Sequence, residues 1–252
     1  MKSIRLSVVI IAKDEEEMIG DCLESVKWTE EIVVVVDERT RDKTAEIAKR
    51  YTSKVFVNKF DNFGQQCQFA LKKTTGDWVL KIDADERVTP RLQEEISEKL
   101  HSNEFDAYHA YFRLVFLGKE FRKSNVRVEG TIRLFRREKG KFKSAEIHEK
   151  LTVKGKVGIL ENEILHLSCR TIHQTLAKFN YFSSLEAEEL YRHGGRTNFF
   201  SILLAPAHIF WRRFFLEKNY RNGMYGFAYV LLCAHYYLAK HLKIWGIMQR
   251  EK

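Results

Sequence analysis

The sequence predicts an α/β protein: a mixed, mainly parallel sheet flanked by helices, followed by a C-terminal amphipathic helical region. Short apolar, β-branched runs alternate with helical stretches of about 10–15 residues through the first hundred positions, the pattern of a parallel, doubly wound sheet. Three of those runs end in polar, acid-bearing stretches. Beyond Thr171 the alternation gives way to helical patterns dense in aromatic and basic residues.

The elements follow in order. "LSVVIIA" (6–12) is continuous and β-branched, as expected of a strand covered on both faces. The preceding basic start and this short run end in acids with no small-residue cleavage site, so the segment reads as a first strand rather than a signal peptide. Met18–Lys27 places Met18, Ile19, Cys22, Leu23 and Val26 on one side of a helix. "EIVVVVD" (31–37) is a second buried strand, and Asp42–Tyr51 a helix with Ala45, Ile47 and Ala48 inward. "KVFVN" (54–58) is a third strand; Phe63–Lys73 is a helix with Gly76 where a C-cap belongs. "DWVLKID" (77–83) is the fourth strand, and Arg91–Leu100 a helix started by Pro90. After Asn103, "DAYHAYFRLVFLG" (106–118), "GTIRLFRR" (130–137) and "VGILENEILHL" (157–167) alternate without long helices between them, which predicts a mixed or antiparallel extension. Thr171–Arg192 is a helix with Leu176, Phe179, Phe182 and Leu185 on one face, expected to pack against the sheet-bearing domain. The division predicted is a sheet-bearing α/β domain over 1–170 and a basic-aromatic helical region over 171–252.

Composition narrows the class. With 252 residues, 44% hydrophobic and 31% charged, the chain can bury a sizeable core and is not a disordered polymer. Its four cysteines, Cys22, Cys67, Cys169 and Cys233, form no C-x-x-C pair, against a zinc ribbon or disulfide framework and in keeping with a reducing compartment. The net charge of +9 is uneven: ten Lys/Arg and two acids lie from Arg192 onward, leaving the first three quarters nearly neutral.

In parallel doubly wound sheets, ligands bind beyond the carboxyl ends of the strands. Those ends carry Lys13-Asp14-Glu15, Asp37-Glu38 and Asp83-Ala84-Asp85. An Asp-x-Asp at a strand end suits a hard divalent cation, which takes one or two carboxylates plus substrate phosphates. The competing reading is a turn in which Asp85 caps the next helix. Neither G-x-x-x-x-G-K-[ST] nor G-x-G-x-x-G occurs, so phosphates would have no glycine-rich cradle. A metal-bound diphosphate accounts for that better than a kinase or dehydrogenase would.

"LSVVIIAKDEEEMIGDCLESV", "EIVVVVDERTRDKTAEIAKRY" and "GDWVLKIDADERVTPRLQEEI" resemble the family 2 glycosyltransferases of the GT-A (Rossmann-like) fold. "TIRLFRR", "IHEKL" and the aromatic-basic tail extend the resemblance over essentially the whole chain, closest to the WaaE-type lipopolysaccharide-core β-glucosyltransferase branch. The resemblance implies roles position by position. Asp14 or Glu15 would lie near the nucleotide base and Asp37 would bind uracil or ribose. Asp83 would contact ribose or metal, and Asp85 would ligate Mg²⁺ or Mn²⁺ on the diphosphate of a UDP-sugar. Glu149 would be the base of an inverting transfer, with His148 able to orient it; a solvated strand-edge charge is the bland alternative. Two departures stand out. The small Ser/Gly-rich turn usual after Asp37 is replaced by "ERTRDKT", and the Gln-x-x-Arg-Trp motif of processive members is absent, which implies a single sugar addition. Lys72, Lys73, Arg133 and Arg136 are candidate phosphate contacts, each also explained by a structural or solvated role.

Phe199–Trp245 holds thirteen aromatic residues, with basic clusters between apolar runs shorter than the ~20 residues that span a bilayer. Such helices suit the interface of an anionic membrane, which fits a lipid-linked glycan acceptor and a cytoplasmic enzyme held peripherally on the inner face of the plasma membrane. Core helices or a dimer interface are the ordinary alternatives. A basic membrane- or nucleic-acid-binding protein without transferase activity is the competing class. No nucleic acid is expected, because the positive charge accompanies long aliphatic runs rather than a polar groove.

Overall fold

The computed structural model describes residues 4–122, 128–143 and 150–250. The chain forms two compact units, Met1–Phe112 with Arg127–His166, and Arg113–Val126 with Leu167–Lys252.

The first unit is built on β1 (Leu6–Ala12), β2 (Glu31–Asp37), β3 (Val55–Asn58) and β4 (Trp78–Asp83), which lie parallel in the order β3-β2-β1-β4. The sheet continues antiparallel through β8 (Val128–Arg136) and β6 (Ala107–Phe116), then β12 (Ile164–Cys169) and the two-residue β5 (Glu86–Arg87). β11 (Val157–Ile159) runs parallel beside β6, and β9 (Gly140–Lys143) pairs with β10 (Lys150–Val153) as a separate ribbon. Every residue of β2 is buried, as an apolar run without alternation requires when both faces are covered. On one face Val8, Ile10, Leu80 and Ile82 pack with α1 (Ile19–Val26) and α4 (Pro90–Leu100); on the other Val9, Val33, Val35 and Val79 pack with α3 (Phe63–Lys73).

Several expectations need adjustment, each for a visible reason. α2 is a single turn, Thr44–Ala48, because the Asp42 carboxylate accepts from the Thr44 amide (3.0 Å) and holds the preceding residues in a turn. Gly76 does not cap α3; Thr74 does. Gly76 is there for close approach, since its amide donates to Ser7 Oγ (2.9 Å) and a Cβ would lie 2.5 Å from that oxygen and 2.8 Å from the Arg5 carbonyl. The run 157–167 splits into β11 and β12 because Glu95 of α4 accepts from the Glu161 amide (2.7 Å), the Asn162 amide and the Asn162 side chain (both 2.9 Å), pinning a turn between them. Glu31, at the start of β2, is nearly buried yet satisfied. It accepts from Ser7, Lys54 and the Thr75 amide and hydroxyl (2.7 and 2.8 Å), tying the entrances of β1, β3 and β4 together.

The second unit is helical: α5 (Ile172–Arg192), α6 (Phe199–Trp211) and α7 (Met224–Arg250), with the short strand β7 (Lys119–Glu120) on the end of β6. Leu114, Phe116, Phe121, Ile209, Tyr229, Val230 and Cys233 form its core. Lys243 of α7 donates to the Asn180 carbonyl and to Asn180 Oδ1, Ser183 Oγ and Ser184 Oγ (2.6–2.8 Å), fixing α7 on α5. α6 runs on as a π-helical turn, Arg212–Leu216, making one stretch from Phe199 to Leu216 that is long and apolar enough to cross a membrane by length and composition, with a mean hydropathy of 1.2. Phe199 (71% exposed), Phe200, Leu203, Leu204, Trp211 and Phe215 stand outward along it. Their spacing makes one stripe, while Ile209 faces the core.

Candidate active site

The register levels the strand ends. Ile11 of β1 lies beside Asp83 of β4, Ala12 beside Val36 of β2, and Asp37 beside Asn58 of β3. β2 and β4 are the two neighbours of β1, so Asp37 and Asp83 sit two strand spacings apart on one rim, about 10 Å.

The β1 and β2 ends are stitched by acids. Asp14, at φ 52, accepts from the Arg41 amide (2.9 Å); the Glu15 amide donates to Thr44 Oγ1 (2.7 Å) and the Glu16 amide to Asp42 Oδ2 (2.8 Å). Asp37 is 3% exposed. Its carboxylate accepts from the Arg39 amide (3.0 Å), from Arg39 Nε at both oxygens (3.1 and 3.2 Å) and from Arg39 Nη2 (2.7 Å). These bonds hold the Asp37 carboxyl below the usual carboxylate range against the opposing effect of burial.

The β4 end is an ion network in which Lys81, Arg133 and Glu86 are buried and Asp83 is about a third exposed. Lys81 Nζ donates to both oxygens of Asp83 (2.7 and 2.9 Å), and Arg133 Nη2 bridges Asp83 Oδ2 (3.1 Å) and Glu86 Oε1 (2.9 Å). Glu86, 1% exposed, also accepts from the Asp83 amide (2.9 Å). The two carboxyls diverge in acidity. Burial opposes ionisation of Asp83, but Lys81 and Arg133 outweigh it and hold the group far below its ordinary value. Burial dominates at Glu86, and with the Asp83 charge beside it raises its pKa despite Arg133. Arg87 locks the turn by donating to the carbonyls of Ala84 (2.8 Å), Glu86 (2.7 Å) and Met18 (2.9 Å). Asp85 does not cap α4; the Thr89 hydroxyl does, accepting from the Leu92 amide.

Asp85 is thereby left facing β12. β5 pairs antiparallel with β12, setting His166 opposite Glu86, and His166 Nε2 lies 3.3 Å from Asp85 Oδ2. Asp85, Glu86 and His166 each offer one ligand atom within 4.8 Å of the others. Two carboxylate oxygens and an imidazole nitrogen suit Mn²⁺ or Mg²⁺ with the remaining positions left to substrate oxygens. Asp83 stands apart from this trio, engaged by Lys81 and Arg133. Glu149, together with His148, lies outside the described residues. His166 carried no signal in the sequence: a single histidine in an alternating strand, about eighty positions from its partner, shows no ligand spacing. Arg133 belongs to the acid network, and Arg136 is structural, stacked 4.8 Å over Trp78 and donating to Asn103 Oδ1 (2.9 Å). Beyond the end of β3 a cavity of about 390 Å³ opens between α3 and β9, with Asn58, Asp61, Gln65 and Lys72 among its walls.

Residues 7–157 match the sequence model of the family described as glycosyl transferase family 2. The chain is 31% identical over 248 residues to a lipopolysaccharide core biosynthesis glycosyltransferase, LpsC, of Rhizobium meliloti, a match covering 95% of this chain and 92% of that one. An uncharacterized glycosyltransferase of Rickettsia typhi is 32% identical over 238 residues, covering 89% and 81%. Among solved structures, residues 1–349 of TarS from S. aureus, crystallised with UDP-GlcNAc, align with a TM-score of 0.51 at 16% identity over 96% of this chain and 89% of that one. At that identity the likeness concerns the fold.

Proposed function

The chain belongs to glycosyl transferase family 2 and is a glycosyltransferase of GT-A-like fold, and from that premise we propose which transfer it performs. It moves a single hexose, with inversion, from a UDP-sugar to a lipid-linked or lipopolysaccharide-type surface-glycan acceptor. The observation that carries this reading is the meeting of Asp85, Glu86 and His166 at the β4 end, on the same rim as Asp37. Asp85, Glu86 and His166 would hold a divalent cation, each offering one ligand atom; the two carboxylates, with substrate phosphate oxygens, suit Mn²⁺ or Mg²⁺. When bound, the ion neutralises the diphosphate and so eases its departure.

The remaining work falls to the chain's own groups. Lys81 and Arg133 keep Asp83 ionised, so it accepts from a ribose hydroxyl without first losing a proton. Asp14 and Glu15 border the base end of the rim. Glu149 takes the proton of the acceptor hydroxyl as its oxygen bonds to the anomeric carbon and the bond from that carbon to the diphosphate oxygen breaks in line. The second unit supplies the link to an acceptor carried on lipid. The outward stripe of α6, with Arg212, Arg213, Lys218 and Arg221 close by and Glu217 the one acid among them, fits the interface of an anionic cytoplasmic leaflet. Within the stretch from Phe199 to Leu216, Ile209 is buried and Phe210 and Phe214 pack beside it, while the outward stripe is left for lipid.

A panel of UDP-, GDP- and dTDP-sugars with Mn²⁺, read by thermal stabilisation and slow hydrolysis, tests the donor. A UDP-hexose should stabilise and be hydrolysed only with the cation, and Asp85→Ala should abolish both. Full hydrolysis in EDTA, or by the Asp85→Ala enzyme, removes the metal role.

A further inference from the structure

Arg39 lies two residues beyond the strand-end Asp37, and its position is specific. It sits at the carboxyl end of β2, with its side chain 56% exposed while the Asp37 it grips is 3% exposed. Four hydrogen bonds from Arg39 occupy the Asp37 carboxylate, and the guanidinium lies 5.7 Å from the centroid of the Phe60 ring. A bidentate carboxylate fixes the guanidinium as a flat plate, and such plates stack on π-faces. Four hydrogen bonds already occupy Asp37, whereas more than half of the Arg39 side chain is exposed.

The distance argument supplies the ligand. With the diphosphate held at the Asp85 end of β4, the end of β2 lies about 10 Å along the rim, within the reach of a nucleoside. We propose that Arg39, held by Asp37 against Phe60, is the stacking platform for the nucleobase of the donor, and that Asp37 acts by positioning Arg39 rather than by binding the base itself. This rests on the nucleotide-sugar reading above and names the residue that recognises its base.

The test compares uridine, UDP and pyrophosphate, each with Mn²⁺, by calorimetric titration of the wild type, Arg39→Ala, Arg39→Lys, Asp37→Asn and Phe60→Ala. A stacking plate predicts that Arg39→Ala weakens uridine and UDP by the same factor, at least about fivefold, and leaves pyrophosphate unchanged. Arg39→Lys keeps a cation for the buried carboxylate, so it should fold even if the alanine variant does not, yet it should not rescue base binding, because the plane is gone. Asp37→Asn and Phe60→Ala should each lower uridine affinity by loosening the plate. Tighter UDP binding by Arg39→Ala would mean that Arg39 plugs the site, and unchanged uridine binding with weakened UDP would make it a phosphate contact. Either result, or full rescue by lysine, overturns the proposal while leaving the donor reading intact. A wild type that binds none of the nucleotides tested above overturns both.

Discussion

Arg133→Met tests whether the acid cluster at the end of β4 is held by one guanidinium. The methionine keeps most of the volume and removes the charge that Arg133 Nη2 shares between Asp83 and Glu86. Asp83 keeps Lys81 and is about a third exposed, so water and the ammonium partly compensate it. Glu86 is 1% exposed and would keep only the Asp83 amide. Removing one partner of a buried pair costs about 3–5 kcal/mol. With only one carboxylate left stranded the lower end applies, and the lost stacking of Arg133 on Phe112 (4.9 Å) keeps the total near about 3 kcal/mol. For a chain of this size that is a fall in Tm of roughly 6–12 °C. The sign with pH is a second readout. Without the guanidinium, Glu86 holds its proton still more tightly when folded than when unfolded. The folded state then binds more protons than the unfolded one above the ordinary glutamate pKa, so stability declines as pH rises. Urea titrations of both proteins at pH 5.5 and pH 8, without added cation, should show the gap between them narrowing at the lower pH. A gap under about 1 kcal/mol, or one indifferent to pH, would mean that Glu86 is satisfied by something other than Arg133.

Three further outcomes follow from the same geometry. Glu31 is pushed down to about 2, because Lys54, Ser7 and Thr75 outweigh the burial that opposes its ionisation. Its contribution of about 3 kcal/mol is therefore whole above its unfolded value and lost as pH falls from about 4.5 to about 2. Chemical denaturation should show Glu31→Gln with a flatter acid limb, and an unchanged limb would refute the assignment. His166→Ala should weaken Mn²⁺ binding in the presence of UDP by at least about tenfold while leaving the far-UV spectrum alone; equal affinity would remove His166 from the ligand set. Leu203→Lys with Leu204→Lys should cut cosedimentation with anionic vesicles at least about tenfold without changing donor hydrolysis. Undiminished cosedimentation would mean that the α6 stripe is not the surface that meets lipid.

Much of the first unit was legible because its physics is local. β1, β2 and α3 fall at the residues expected, since a buried parallel strand needs an unbroken apolar run and Asn62 caps α3 through the Gln65 amide. What could not be read depended on distant partners. Glu95 breaks the run 157–167 from sixty-six positions away, and nothing in either segment announces it. Gly76 was visible as a special glycine, but its reason, the approach of β4 to Ser7, exists only once β1 and β4 are neighbours. The same limit governs the site. The acids at the strand ends announced themselves because strand ends in such sheets collect ligands, whereas His166 joins Asp85 only through the pairing of β5 with β12. Arg39 was noticed as a departure, but its grip on Asp37 is a matter of side-chain geometry.

On the proposed donor reading, the ions at the β4 end would do for a diphosphate what a glycine-rich loop does elsewhere. Backbone-amide cradles bind phosphate with fixed dipoles and need no counter-charge beneath them. A carboxylate-held cation must instead have its own ligands kept ionised and in place before substrate arrives. Asp83, Glu86, Lys81 and Arg133 would form that support: Lys81 and Arg133 face Asp83, which is about a third exposed, and Arg133 also faces the buried Glu86, so two fixed cations stand behind the trio that would hold the ion. Replacing Glu86 with Gln should lower affinity for Mn²⁺ in calorimetric titration, since Glu86 is one of three groups whose ligand atoms lie within 4.8 Å of one another; unchanged affinity would remove it from the set. Replacing Arg87, whose guanidinium holds two carbonyls of that turn and the carbonyl of Met18 just before α1, should disorder Asp85 and abolish the cation response outright. If the Arg87→Ala enzyme bound Mn²⁺ normally, the ligand would be held by something other than the turn that carries it.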